Sequence, residues 1–172
     1  FAKTGYKKNV LDPMVQNKNW TTGSNKGIEF NNIIDIVRTH VTSGSKVFIG
    51  SDSFTSAGKV CFASTICLHG GNLPSRYFFY KENEKSKKYN TLVQRITEET
   101  RRSIELAELL FITHDFDPEI MEVHVDVSPF NAKQGTSKFS DMLKGYVNGY
   151  GFDCKIKPNA WASQSVADKH SK

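Results

Sequence analysis

The chain has 172 residues, 38% of them hydrophobic and 24% charged, which is the size and composition of one globular domain with an ordinary core. No apolar run approaches the roughly 20 residues that cross a bilayer, so a membrane span is excluded. The formal net charge is +5, which tilts toward a polyanionic partner without establishing one.

The chain begins at Phe1 rather than Met, and no charged-then-apolar leader marks a signal peptide. Residues 1–27 are polar and rich in Lys, Asn, Thr and Gly, and read as an irregular arm ahead of a domain over residues 28–172. Phe30, Ile33, Ile34, Val37 and Val41 then recur at helical steps, predicting an amphipathic helix that stops near Ser43–Gly44.

Three strand signals follow: Lys46 to Asp52, Lys59 to His69 and Ser75 to Lys81. Their short connections favour an antiparallel meander. A lysine-rich loop from Lys81 to Lys88 leads into a long helix from Thr91 to about Ile112, with Leu92, Ile96, Ala107 and Leu110 on its apolar stripe. Met121 to Val127 reads as the fourth strand, residues 137–149 as a helix, Phe152 to Lys157 as the fifth strand, and a last helix begins near Ser163. The order β-β-β-α-β-α-β-α implies an α/β fold with a mixed five-stranded sheet, three antiparallel strands then parallel β-α units, flanked by helices. It is the order of the ribonuclease-H-like fold, although order alone fixes no function.

Cys61 and Cys67 lie six residues apart in one strand, too far to bridge. No CxxC or Cys/His cluster points to zinc. The three cysteines read as buried thiols of a reducing, cytoplasmic compartment.

Four acids fall at informative places. Asp52 ends the first strand and Asp126 lies near the end of the fourth, where ligands of α/β sheets gather. Asp168 sits on the terminal helix. From the long helix, Glu98 and Glu99 compete. Glu98 has Arg101 and Arg102 three and four residues on and is expected to face solvent, whereas Glu99 is in phase with Leu92, Ile96, Ser103 and Ala107 beside the buried stripe. A buried acid is costly unless it is paired or binds a cation, so Glu99 is the candidate. Such a set suits two divalent ions, Mg²⁺ or Mn²⁺, because phosphodiester hydrolysis needs a water activated and a leaving oxygen stabilised on opposite sides of one phosphorus. Taken singly, each acid also reads as a cap or a solvated charge.

The segments VFIGSDS (47–53), QRITEETRRSIELAELL (94–110), EVHVDVS (122–128) and GYVNGYGFDCKIKPNAWASQSVADKHSK (145–172) resemble the small bacterial and phage ribonuclease-H-like proteins of the YkuK type. The last segment is the most specific, and the resemblance spans residues 30 to 172. It implies the ribonuclease H fold and its acidic metal site. Asp52 would match the first-strand aspartate, Glu99 the glutamate of the first core helix, Asp126 the fourth-strand aspartate and Asp168 the acid of the last helix.

Around these, Ser53, His124, Ser128 and His170 could hydrogen-bond to the ligands or to their water, though turn capping, core packing and exposure are the simpler readings. Lys85, Lys87, Lys88, Lys133 and Lys138 are candidate phosphate contacts. Trp161 is expected to pack rather than to stack on a base. HDFDPE (114–119) lacks the glycine and distal glutamate of a calcium loop and reads as a connection. The leading expectation is a metal-dependent nuclease acting on RNA, DNA or their hybrid. The rivals are a non-catalytic nucleic-acid-binding or assembly module and a phosphohydrolase of small molecules.

Overall fold

A computed structural model describes residues 15–129 and 139–172. Its elements are β1 (Thr21–Thr22), α1 (Phe30–Thr42), β2 (Lys46–Ser56), β3 (Lys59–His69), β4 (Arg76–Lys85), α2 (Leu92–Glu108), β5 (Met121–His124), α3 (Ser140–Gly149), β6 (Asp153–Lys155) and α4 (Asp168–Ser171). A wider π turn extends α2 over Leu109–Thr113, and another, Ala162–Ala167, runs into α4. The sheet order is β1-β4-β3-β2-β5-β6. β2, β3 and β4 form the antiparallel meander, while β5 pairs parallel to β2 and β6 parallel to β5.

Side-chain alternation along β2 and β3 explains the two layers. Val47, Ile49, Ile66 and Leu68 join the main core with α1 and α2, and Phe48 and Cys67 face the other way, toward Ala162 of the terminal helical segment. Among the described residues no helix is long and apolar enough to cross a membrane, and Cys61, Cys67 and Cys154 are free thiols.

Several expectations need correction. The sheet has six strands, because part of the expected irregular arm is ordered. Thr21 and Thr22 pair with Phe79 and Phe78 on the edge of β4. Trp20, only 2% exposed, anchors this segment; its ring meets Tyr80 at 4.7 Å and its indole N–H donates to the Val15 carbonyl at 2.9 Å. β2 runs on to Ser56, paired throughout with β3, so Asp52 lies inside that strand rather than at its end, and Asp126 lies two residues beyond β5. β4 runs four residues past Lys81. Its polar tail holds strand form because Glu82 and Glu84 share a face and both meet the Arg102 guanidinium, at 2.6 and 3.2 Å. Glu98 does not face solvent freely: the buried Arg102 donates to its carboxylate at 2.8 Å, and Arg101 donates to the same group. Leu92 is exposed at 48%, so the buried stripe of α2 begins a turn later, at Ile96. Regular pairing in β5 ends at His124 and in β6 at Lys155, although the Lys157 N–H still reaches the Val127 carbonyl.

Candidate active site

The alternation in VFIGSDS sorts its polar residues onto two faces. Ser51 and Ser53 point toward α2, where the Ser51 hydroxyl meets that of Ser103 at 2.9 Å and Ser53 donates to Glu99 Oε2 at 2.5 Å. Asp52, like Phe48, points toward the terminal helix, and its Oδ2 accepts from the Ser171 hydroxyl at 3.0 Å. Two backbone approaches bring that helix down. A Cβ on Gly50 would stand 2.6 Å from the backbone nitrogen of Ser163, and the Ser163 hydroxyl donates to the His124 carbonyl at 2.6 Å.

Asp52 is 7% exposed and Glu99 5%. Burial is the main cause that lifts the Asp52 carboxyl to about 7. A side-chain hydrogen bond with Asp168 adds to the rise, the Ser171 hydroxyl opposes it, and the charges of Asp126 and Asp168 raise it further. Glu99 is lifted well above the usual carboxylate range, first by burial and next by the Asp52 charge; Asp126 adds to this, while Ser53 and Arg95 oppose it. Four acids from four separate segments of the chain therefore act on one another. Asp52 interacts with the other three, and Asp126 is felt by both Asp52 and Glu99.

Two lysines that sequence reasoning did not single out stand at the rim. Lys157 Nζ lies 3.1 Å from Asp126 Oδ1, a buried oxygen with no hydrogen bond of proper geometry, and Lys172 Nζ lies 3.0 Å from Asp168 Oδ2. The second pair is an i,i+4 spacing visible in the sequence. The first depends on two chain segments meeting side by side.

The accessory candidates divide. Ser53 touches a candidate ligand. His124 does not: its Nε2 meets Glu122 Oε1 at 3.0 Å and its Nδ1 accepts the Ala162 N–H at 3.0 Å, so it is a core histidine that clamps the terminal helix. Burial lowers its pKa against the pull of Glu122, and the acceptor role of Nδ1 puts the proton of the neutral ring on Nε2. His170 turns from the carboxylates to β4, stacked 3.6 Å from Phe79 with Nε2 at 2.9 Å from the Tyr77 hydroxyl. Ser128 is half-buried and bonds none of the four acids among the described residues. Lys85, Lys87 and Lys88 are exposed at the far tip of the β3–β4 ribbon, Lys88 paired with Glu84 at 3.2 Å. Lys133 and Lys138 lie outside the described residues.

The donor chemistry fits a hard divalent cation: acidic oxygens only, two of the acids buried, and one oxygen of Asp126 buried without a hydrogen bond. The spacing is looser than a closed coordination shell, for among the described residues no three His, Cys, Asp or Glu side chains form a group that could hold an ion.

A meander followed by parallel β-α units, with one acid inside β2, one just beyond β5, one on α2 and one on α4, defines an α/β domain with a nuclease-type fold. The chain belongs to the ribonuclease H-like family, whose model matches residues 29–172. A comparison with curated proteins gives no match.

Proposed function

We propose that this domain is a divalent-metal-dependent nuclease that hydrolyses phosphodiester bonds of RNA, DNA or their hybrid through Asp52, Glu99, Asp126 and Asp168. The observation that carries the reading is the gathering of Asp52 with the other three acids, where burial first and the neighbouring acids next lift Asp52 and Glu99 above the usual carboxylate range, a shift that a bound cation would oppose. Two Mg²⁺ or Mn²⁺ ions, when bound, would supply a nucleophilic water and stabilise the leaving oxygen. Asp52, inside β2, and Asp126, just beyond the neighbouring β5, would serve both ions, with Glu99 and Asp168 each holding one. The Ser53 and Ser171 hydroxyls fix the orientation of Glu99 and Asp52. The net charge of +5 favours approach of a polyanion.

A second reading, a nucleic-acid-binding module that has kept the fold, is favoured by the loose spacing of the acids. Labelled RNA, DNA and hybrid oligonucleotides incubated with Mn²⁺ separate the two. The nuclease reading expects cleavage by the native protein and none by Asp126→Asn. Binding without cleavage by either protein favours the module, and cleavage of nucleotides but not polymers favours the phosphohydrolase.

A further inference from the structure

The terminal helical segment covers only part of its face of the sheet. Its last turn reaches Asp52 through Ser171 and Phe79 through His170, and past that line the antiparallel meander runs on. The register shows which side chains share the uncovered stretch. Asp52 pairs with Ala63, and Ala63 with Lys81. Two residues further, Phe54 pairs with Cys61, and Cys61 with Asn83. At the tip, Lys59 pairs with both Ser56 and Lys85. Because Asp52 points toward the terminal helix, alternation puts Phe54, Lys59, Lys81, Asn83 and Lys85 on that same face. All five are exposed, Phe54 at 42%.

The two faces of this ribbon differ in charge. Glu82 and Glu84 turn to the other face, where Arg102 neutralises them beside buried Val60 and Phe62. The lysines keep the open one. Among the described residues Lys59, Lys81 and Lys85 form no ion pair. Lys59 also stands directly opposite Lys85, a cross-strand pair of like charges that destabilises a sheet and that an anion would relieve. Lys81 lies about 10 Å from Asp52 across two strands, and Lys85 about 13 Å from Lys81 along β4. A row of unpaired cations thus leads away from the acids, with one exposed aromatic ring, Phe54, two residues from Asp52.

This combination suits a single strand of nucleic acid. An aromatic ring on a sheet face stacks on an unpaired base, while lysines around it follow the backbone. In a duplex the bases stack on one another, so Phe54 would meet no free base.

We propose that the open face of β2, β3 and β4 holds a single-stranded segment of nucleic acid beside the acids, with a base on Phe54 and phosphates on Lys59, Lys81 and Lys85. The proposal deepens the function proposed above, from which it takes nucleic acid as the ligand, by naming the form of the strand and the residues that hold it.

The test is fluorescence anisotropy in EDTA with a labelled 12-nucleotide strand, DNA and RNA as separate arms, and with the duplex of the same sequence. One or both single strands should bind about tenfold or more tightly than the duplex. Phe54→Ala should weaken single-strand binding about fivefold or more and leave its salt dependence unchanged. Lys59→Gln, Lys81→Gln and Lys85→Gln should each lower the slope of the salt dependence by about 0.7, and the triple variant by about two units. Lys26→Gln, an exposed change beside β1, should alter neither. Preference for the duplex, unchanged affinity in Phe54→Ala, or an unchanged slope in the triple variant would overturn the proposal. Because no metal is present, the nuclease reading is judged apart: this binding pattern without cleavage in Mn²⁺ keeps the platform and removes the nuclease, and cleavage without this pattern does the reverse.

Discussion

Gly50 and Ser163 are in such close contact that a Cβ on residue 50 would stand 2.6 Å from the backbone nitrogen of residue 163. Backbone cannot swing aside as a flexible side chain can, so Gly50→Ala must lift the terminal helical segment off β2. Overpacking of this kind costs about 1–3 kcal/mol. Because Asp168 rides on that segment and bonds Asp52, the same change should weaken Mn²⁺ binding. Thermal melts and metal titration of Gly50→Ala check both effects. An unchanged metal affinity would show that the helix does not set the place of Asp168.

His124 ties the same segment down from the neighbouring strand. Its Nδ1 accepts the Ala162 N–H and its Nε2 meets Glu122. His124→Phe keeps the ring volume but leaves the Ala162 N–H without that acceptor, at a cost of about 1–3 kcal/mol. The pKa of His124 is lowered in the fold, so below the ordinary histidine range the unfolded chain takes up a proton that the native state resists. The His124 contribution to native stability should therefore fall as pH drops through about 6.5. In His124→Phe that part of the acid dependence should be missing, which denaturant melts at pH 5 and pH 8 measure.

Much of this was legible in the chain itself where the signal is local. β3 spans Lys59–His69 as its β-branched and aromatic run predicts, and helical phase chose Glu99, which is buried where Glu98 is held by two arginines. What escaped depends on partners distant in sequence. Two threonines form β1 only because the edge of β4 is there to receive them. The alternating charges of Glu82 and Glu84 read as loop until buried Arg102 supplies their counter-charge. Likewise, Lys157 finds Asp126 only once β5 and β6 lie in parallel register. His124 and Asp126 looked equivalent on a strand of period two, yet one holds a helix and the other faces the acids.

The shift at Asp52 has a sign that can be measured. Its carboxyl rises from 3.8 to about 7 on folding, so between those values the unfolded chain ionises while the native state keeps its proton. The Asp52 contribution to the stability of the metal-free protein should fall as pH rises from about 4 to about 7, with no further loss from this group above that range. Asp52→Asn removes the titration, and its melting temperature at pH 8 should exceed that of the native protein in EDTA. Excess Mn²⁺ should reverse the order, stabilising the native protein and not the variant. Melts of the native protein and Asp52→Asn at pH 4, 6 and 8, with and without metal, test this, and a stability difference between the two that does not change with pH in EDTA would contradict it.

Lys157 lends Asp126 a positive charge that a divalent ion would otherwise provide. The Lys157 side chain is 42% exposed while the oxygen it meets is buried, so the lysine can leave for solvent at little cost and the carboxylate cannot. Lys157→Met should therefore tighten Mn²⁺ binding about threefold to tenfold, by removing a competing cation. The displaced lysine is also positioned to meet a phosphate. In the metal-loaded protein the same substitution should weaken binding of an oligonucleotide and lower the slope of its salt dependence by about one unit. Calorimetry with Mn²⁺ and binding isotherms at several salt concentrations read the two effects separately. An unchanged salt slope would restrict Lys157 to the metal-free state, whereas unchanged metal affinity would mean that its pairing with Asp126 does not compete with the ion.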